Sequence, residues 1–153
     1  MSQTLIHQFV SEASEGSLER AVAKLHSGWL CLGDPQVLPG YCVLYPDPVV
    51  ATLNDLEGKA RTQFLADMAM AGDAILEATG ALRINYEILG NQEPALHAHI
   101  IPRYEWEDEK VRTRPVWFYD WLRAPEFSRE DTAALRQTLE AAIQRRIGTD
   151  GPG

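Results

Sequence analysis

The sequence has little cysteine, little positive charge and no long apolar run. Two cysteines, Cys31 and Cys42, lie in apolar contexts and form no CxxC pair, so we expect reduced thiols in the core rather than a disulfide framework. No apolar stretch approaches the roughly 20 residues that span a bilayer, and residues 1–16 lack a basic segment followed by an apolar one. These absences predict a soluble, cytoplasmic protein with no membrane partner.

Basic residues are outnumbered by acidic ones. The chain has 14 Lys and Arg against 22 Asp and Glu, which gives a net charge of −8. This charge argues against a broad surface for nucleic acid or an anionic membrane. It leaves room for one small anionic ligand, because a local cluster of hydrogen-bond donors can outweigh the mean charge.

The 153 residues are enough for one domain with a sizeable core. We predict a flexible lead-in at 1–16, a single domain at 17–147 and a tail at 148–153. Hydrophobic periodicity and turn residues predict helices at 17–26, at 56–79 and after Ser128, and strands at 29–32, 41–45, 82–89 and 96–101. This order is typical of an α+β domain with a mainly antiparallel sheet. The charged stretch 104–114 is expected to be solvated, and the aromatic stretch after it matches no motif.

Two of the four histidines, His97 and His99, stand two residues apart in an apolar run that ends at a proline. In a strand, residues i and i+2 project to the same face. The two imidazoles would then lie side by side, while Leu96, Ala98 and Ile100 face the opposite way. Apolar residues could anchor one face in a core while the other face presents both rings to a pocket.

Three uses of such a pair are open from the residues alone. A neutral imidazole is a competent nucleophile near pH 7, and a protonated neighbour binds an anion, which suits phosphoryl or nucleotidyl transfer. A metal site is the second use, but zinc needs three or four ligands, and His7 and His26 are far away in sequence. The third use is purely structural, as two buried and hydrogen-bonded rings.

The turn before the histidines is rich in amides. Asn85, Asn91 and Gln92 can offer neutral donors and acceptors to phosphate oxygens, which suits a pocket in an acidic protein. Ordinary turn chemistry explains Gly90-Asn91 equally well.

The run Leu-His-Ala-His-Ile-Ile-Pro-Arg at 96–103 closely resembles the signature of the histidine triad superfamily, in which three histidines alternate with apolar residues and Pro-Arg often follows. The stretches 85–94 and 39–46 and the pair Asp55-Leu56 resemble the family's preceding strand, first hairpin and helix start. The resemblance, to members like diadenosine tetraphosphate hydrolase, implies an α+β fold with a five-stranded antiparallel sheet. It also implies a long central helix, a C-terminal helix and a homodimer.

The same resemblance implies a nucleotide hydrolase or nucleotidyl transferase that needs no metal or other cofactor. His97 would attack the α-phosphorus of a dinucleoside polyphosphate or nucleoside phosphoramidate, and His99 would bind and neutralise the phosphate. Gln92 would assist the leaving group. The other implied binding positions are Asn85 and Asn91 for phosphate and Asp34 for ribose.

The chain departs from the family at the first histidine, where it has Ala95. Loss of a supporting hydrogen bond of this kind lowers activity by about 10–100-fold, so we expect reduced turnover. Tyr41 replaces a further histidine, which predicts a less polar pocket. The alternative function is therefore a nucleotide-binding protein with weak or no turnover.

Overall fold

Five strands form a single antiparallel sheet in the computed structural model, which describes residues 2–149. They are β1 (Ala21–Lys24), β2 (Gly28–Leu32), β3 (Cys42–Pro46), β4 (Arg83–Glu87) and β5 (Ala98–Arg103). Their order across the sheet is β1-β2-β3-β5-β4, and every neighbouring pair is antiparallel. The expected α+β fold with a five-stranded antiparallel sheet is confirmed.

Helices cover both faces of this sheet. The long α2 (Gly58–Thr79) and the C-terminal α3 (Arg129–Thr149) share one hydrophobic cluster with the sheet, which includes Phe64, Ile75, Leu139 and Ile143. The central and C-terminal helices are thus confirmed. Ser128 caps α3 as its sequence pattern predicts, because its Oγ accepts a hydrogen bond from the Asp131 N–H at 3.2 Å.

The region expected to be a flexible lead-in contains a helix, α1 (Leu5–Glu15). Thr4 caps its first turn, and Gly16 ends it in the left-handed conformation with φ of 80°. Ile6 and Val10 are buried in a second hydrophobic cluster, on the opposite face of the sheet from α2 and α3. The expectation was wrong, because Ile6, Val10 and Ala13 recur at helical spacing between the Thr4 cap and Gly16 and bury one face of the helix.

The helix predicted at 17–26 is also wrong, since β1 occupies this region. Arg20 explains the difference: its guanidinium donates to the Leu32 carbonyl oxygen at 2.9 Å and to the Tyr45 hydroxyl at 2.8 Å. It also lies 4.4 Å from the centre of the Phe9 ring. The helical spacing of apolar residues at 17–26 is short. Pairing of β1 with β2 and the contacts of Arg20 stabilise a strand there instead of a helix.

Both cysteines are free and buried, as expected of core thiols. None of the helices in residues 2–149 is long and apolar enough to cross a membrane. Residues 148 and 149 of the predicted tail belong to α3, and residues 150–153 lie outside the described part of the chain.

Arg103, the last residue of β5, organises the segment that follows it. Its side chain is 6% exposed and forms a salt bridge with Glu107 at 2.9 Å. Its other N–H groups donate to the Asn85 side chain and to the backbone carbonyls of Val111, Arg112 and Arg114. All five donors of the guanidinium therefore have partners, so part of the stretch expected to be solvated is held against the sheet.

Glu107 is the anionic partner in this network, and its side chain is fully buried. It accepts hydrogen bonds from the Tyr104 N–H at 2.7 Å and from the Tyr119 hydroxyl at 2.6 Å. Burial on its own would raise the pKa of this carboxyl, but the hydrogen bonds from Arg103, Tyr119 and Tyr104 lower it overall. The aromatic stretch that follows forms a short 3₁₀ turn, Val116–Phe118, rather than a strand.

We predict that Glu107→Gln lowers the free energy of unfolding by about 3–5 kcal/mol, because it leaves the Arg103 charge buried without its counter-charge. Urea denaturation followed by circular dichroism measures the change. Glu105→Gln is the matched control, since Glu105 is exposed, and its effect should stay within about 0.5 kcal/mol. Equal, small effects of both substitutions would contradict the stabilising role of this pair.

Candidate functional site

The alternation of side chains along β5 places the two histidines as predicted. Leu96, Ala98 and Ile100 belong to the cluster packed against α2 and α3. Ala95 and Ile101 belong to the cluster on the other face. The rings of His97 and His99 are on that second face with their centres 5.0 Å apart and their planes at 74°. The alternation thus brings the two imidazoles together on one face of the sheet.

His97 has a defined tautomer when it is neutral. Its Nδ1 is 2.8 Å from the backbone carbonyl oxygen of Ala95. Since a carbonyl oxygen only accepts, Nδ1 must carry the proton, and Nε2 is left with a free lone pair. The backbone of Ala95 therefore orients the ring even though its side chain has no polar atom.

His99 is held more tightly and is harder to protonate. Its Nδ1 lies 2.7 Å from the Tyr41 hydroxyl, and it pairs with Val43 and Glu87 on the neighbouring strands. Burial, with a smaller contribution from His97, lowers the pKa of His99 to about 4. His99 is therefore uncharged at neutral pH. Tyr41 supplies a polar contact here, contrary to the expectation that it makes the pocket less polar.

Trp117, from the segment after β5, covers His99, and Trp121 supports it from behind. The Trp117 ring meets His99 edge to face at a centre distance of 5.1 Å and stacks on Trp121 at 4.9 Å. The Trp117 indole N–H donates to the Glu87 carboxylate. These contacts are absent from the sequence prediction, although the i, i+4 spacing of the two tryptophans indicates a shared face.

A cavity of about 320 Å³ opens beside His97. It lies between the start of β5, the turn after β4 and the segment before α2. Its lining includes Thr52, Asn54, Leu89 and Gly90. Its wall therefore combines apolar side chains with the polar groups of Thr52, Asn54 and His97.

The other predicted site residues are not all gathered here. Asn85 lies on β4, and its Oδ1 accepts a hydrogen bond from Arg103 at 2.9 Å. Asn91 and Gln92 are exposed on the turn between β4 and β5, and neither lines the cavity beside His97. Asp34 is exposed in the loop after β2, and its Oδ1 accepts a hydrogen bond from the Phe127 N–H at 2.8 Å.

The histidine pair has no further side chain placed to bind a metal ion with it within residues 2–149. Within residues 2–149, no group of three or more His, Cys, Asp or Glu side chains is placed to hold a metal ion. The histidine pair would need at least a third protein ligand to match the usual zinc site.

The unusual protonation of His99 is measurable. We predict that ¹⁵N-detected NMR places its midpoint near pH 4, well below the ordinary value of 6.5. His97→Asn should raise this midpoint, because it removes the charge of the neighbouring ring. The midpoint should remain below 6.5, since burial is the larger cause. A midpoint near 6.5 in the native chain would contradict the buried environment.

The same shift fixes the direction of a stability change. The pKa of His99 is lower in the folded chain than its ordinary value of 6.5, so the unfolded chain binds more protons between pH 6.5 and about 4. The stabilising contribution is therefore complete above pH 6.5 and is lost as the pH falls towards 4. His99→Phe should reduce this part of the pH dependence of the free energy of unfolding, as measured by urea denaturation.

No family model matches the chain. The threonine–tRNA ligase of Paracoccus denitrificans is 37% identical in an alignment of 84 residues that covers 46% of this chain and 13% of the ligase. The chain thus corresponds to a small part of that relative's length.

Solved structures match over nearly the whole chain. A histidine triad protein from Marinobacter aquaeolei has a TM-score of 0.73 at 18% identity, with 94% of this chain and 98% of that chain covered. One from Bradyrhizobium japonicum has a TM-score of 0.70 at 23% identity, with 82% and 92% covered. A hypothetical histidine triad nucleotide-binding protein from Sulfolobus tokodaii has a TM-score of 0.70 at 17% identity, with 90% and 92% covered. The chain therefore has the histidine triad fold.

Proposed function

We propose that the chain is a nucleotide hydrolase or nucleotidyl transferase in which His97 attacks the α-phosphorus of the substrate. The observation that carries this proposal is the 2.8 Å contact between His97 Nδ1 and the Ala95 carbonyl oxygen. It leaves the Nε2 lone pair available as a nucleophile. The fold shared with histidine triad proteins, one of them described as nucleotide-binding, supports the same assignment.

The reaction proceeds in two displacements. The Nε2 lone pair forms a bond to phosphorus as the bond to the leaving group breaks, and the leaving group departs with the electron pair and takes a proton from solvent. Water then attacks the same phosphorus and gives a proton back to solvent, the N–P bond breaks with its electron pair returning to Nε2, and the nucleoside monophosphate is released. The substrate classes are dinucleoside polyphosphates, where a P–O bond breaks, and nucleoside phosphoramidates, where a P–N bond breaks.

His99 acts in this proposal by hydrogen bonding rather than by charge. With its pKa lowered to about 4 by burial, it is neutral at pH 7 before a substrate binds. When Tyr41 donates to Nδ1, the ring proton is on Nε2, which can donate to a non-bridging phosphate oxygen.

The roles of the other site residues are those that the resemblance to the histidine triad superfamily implies. Gln92 assists the leaving group from the exposed turn, Asn85 and Asn91 contact phosphate, and Asp34 contacts ribose. The substrate is a small nucleotide, no cofactor is required, and the protein acts as a cytoplasmic homodimer.

The alternative is a nucleotide-binding protein with weak or no turnover, and Ala95 is the observation that favours it. Its methyl group cannot supply the hydrogen bond of a first triad histidine. Ala95 is fully buried, so Ala95→His would displace packed neighbours and would not restore that contact cleanly. Direct measurement of product separates the two functions better than this substitution.

We predict that the chain releases adenosine monophosphate from diadenosine tetraphosphate or from adenosine phosphoramidate. His97→Asn should lower kcat by at least about 10³-fold, because it removes the nucleophile. Chromatographic quantification of the nucleotides measures the rate, and intact-protein mass spectrometry after rapid quenching detects the adenylylated intermediate. His26→Asn is the matched control, since His26 is exposed and lies between β1 and β2.

Two outcomes would contradict the proposal that the chain is an enzyme with His97 as its nucleophile. Saturable nucleotide binding without any product would favour the binding protein. Turnover that survives His97→Asn would show that this ring is not the nucleophile.

A further inference from the structure

A second and larger cavity, of about 630 Å³, lies beside the edge strand β4. One wall is β4 itself, with Arg83, Asn85 and Glu87. The opposite wall is the segment that Arg103 holds in place, with Arg112 and Arg114. Three arginines from two separate stretches of sequence thus surround one space.

The base of this cavity presents an amide donor. The five N–H groups of Arg103 are occupied by protein partners, so this guanidinium is not available to a ligand. Its hydrogen bond to Asn85 Oδ1 settles which way the amide points. The Asn85 Nδ2 group, with two donors, is then left for an acceptor in the cavity.

The local charge balance favours an anion. Arg83, Arg112 and Arg114 carry three positive charges against the two of Glu87 and Glu105, which also line the space. Glu87 already accepts the Trp117 indole N–H. A chain whose net charge is −8 therefore has a locally basic, donor-rich cavity.

This cavity adjoins the histidine pair. Glu87 is the β4 partner of His99, and Asn85 is the partner of Ile101. Directly paired residues in antiparallel strands have Cα atoms about 4.5–5.5 Å apart, and Asn85 and Glu87 are on the same face of β4 as each other. The cavity therefore begins one strand away from His99, beyond the Trp117 indole that contacts both His99 and Glu87, which is within the reach of a polyphosphate chain whose α-phosphorus is at His97.

We infer that the cavity bounded by Arg83, Arg112 and Arg114 binds the polyphosphate of the leaving group, and so selects substrates whose leaving group is a phosphate chain. This inference rests on the proposed function and deepens it. Dinucleoside polyphosphates place such a chain on the far side of the scissile bond. Adenosine phosphoramidate releases only ammonia, which neither fills the cavity nor pairs with an arginine.

Calorimetric titration with inorganic tripolyphosphate tests the cavity without requiring turnover. The double variant Arg112→Gln/Arg114→Gln should bind at least about 10-fold more weakly than the native chain, because two charge-assisted contacts are lost. Arg123→Gln/Arg129→Gln is the matched control, as it removes the same charge from exposed positions outside the cavity. It should bind as the native chain does, and so should His97→Asn.

Kinetics then separates the cavity from the nucleophile. In the Arg112→Gln/Arg114→Gln variant, kcat/KM for diadenosine tetraphosphate should fall about 10-fold or more, while that for adenosine phosphoramidate should not change. Equal losses on both substrates, or tripolyphosphate binding that the double variant leaves unchanged, would overturn the inference. Tripolyphosphate binding that depends on these arginines in a chain without turnover would support the anion site and refute the hydrolase.

Discussion

The site depends on the interactions of one buried group, the guanidinium of Arg103. A charge in that position requires a counter-charge and partners for all five N–H groups. Glu107 provides the counter-charge. Asn85 and three backbone carbonyls accept most of the remaining hydrogen bonds. Because those carbonyls come from residues 111–114, one side chain holds an irregular segment against the sheet. That segment leads into the turn carrying Trp117, and the hydrogen bond to Asn85 orients an amide towards the larger cavity.

The second constraint is the pleat of β5. Alternate residues enter the core under α2 and α3, and the remainder face α1 and the aromatic segment. This arrangement holds two imidazoles side by side with different hydrogen-bond partners. His97 keeps a free Nε2 because its other nitrogen donates to a backbone carbonyl. His99 is neutral because burial penalises its charged form. Alanine at position 95 removes a side chain from this row but retains the carbonyl that orients the nucleophile.

Elements with long, regular patterns were predictable. The central helix, the Ser128-capped helix and the hairpin leading to the histidines follow from periodicity and local capping alone. Short or terminal elements were not. The segment around Arg20 has an apolar spacing compatible with a helix, yet its partners are Leu32, Tyr45 and Phe9, which are distant in sequence. The helix at Leu5–Glu15 does carry local signals, an apolar spacing between Thr4 and Gly16, and the structure adds that Ile6 and Val10 are buried against the sheet.

The antiparallel α+β fold and the side-by-side placement of His97 and His99 could be predicted from the sequence alone. The absence of a histidine at position 95 is read directly from it. These depend on period-two alternation and residue identity, which are local properties. Only the packing of the folded chain shows that Tyr41 contacts His99, that Trp117 covers it, and that Asn85 accepts a hydrogen bond from Arg103. Each of these contacts joins residues at least 18 positions apart, with the separation reaching 58 for Tyr41 and His99. Contacts of that kind depend on how elements pack, which no local pattern of side chains specifies.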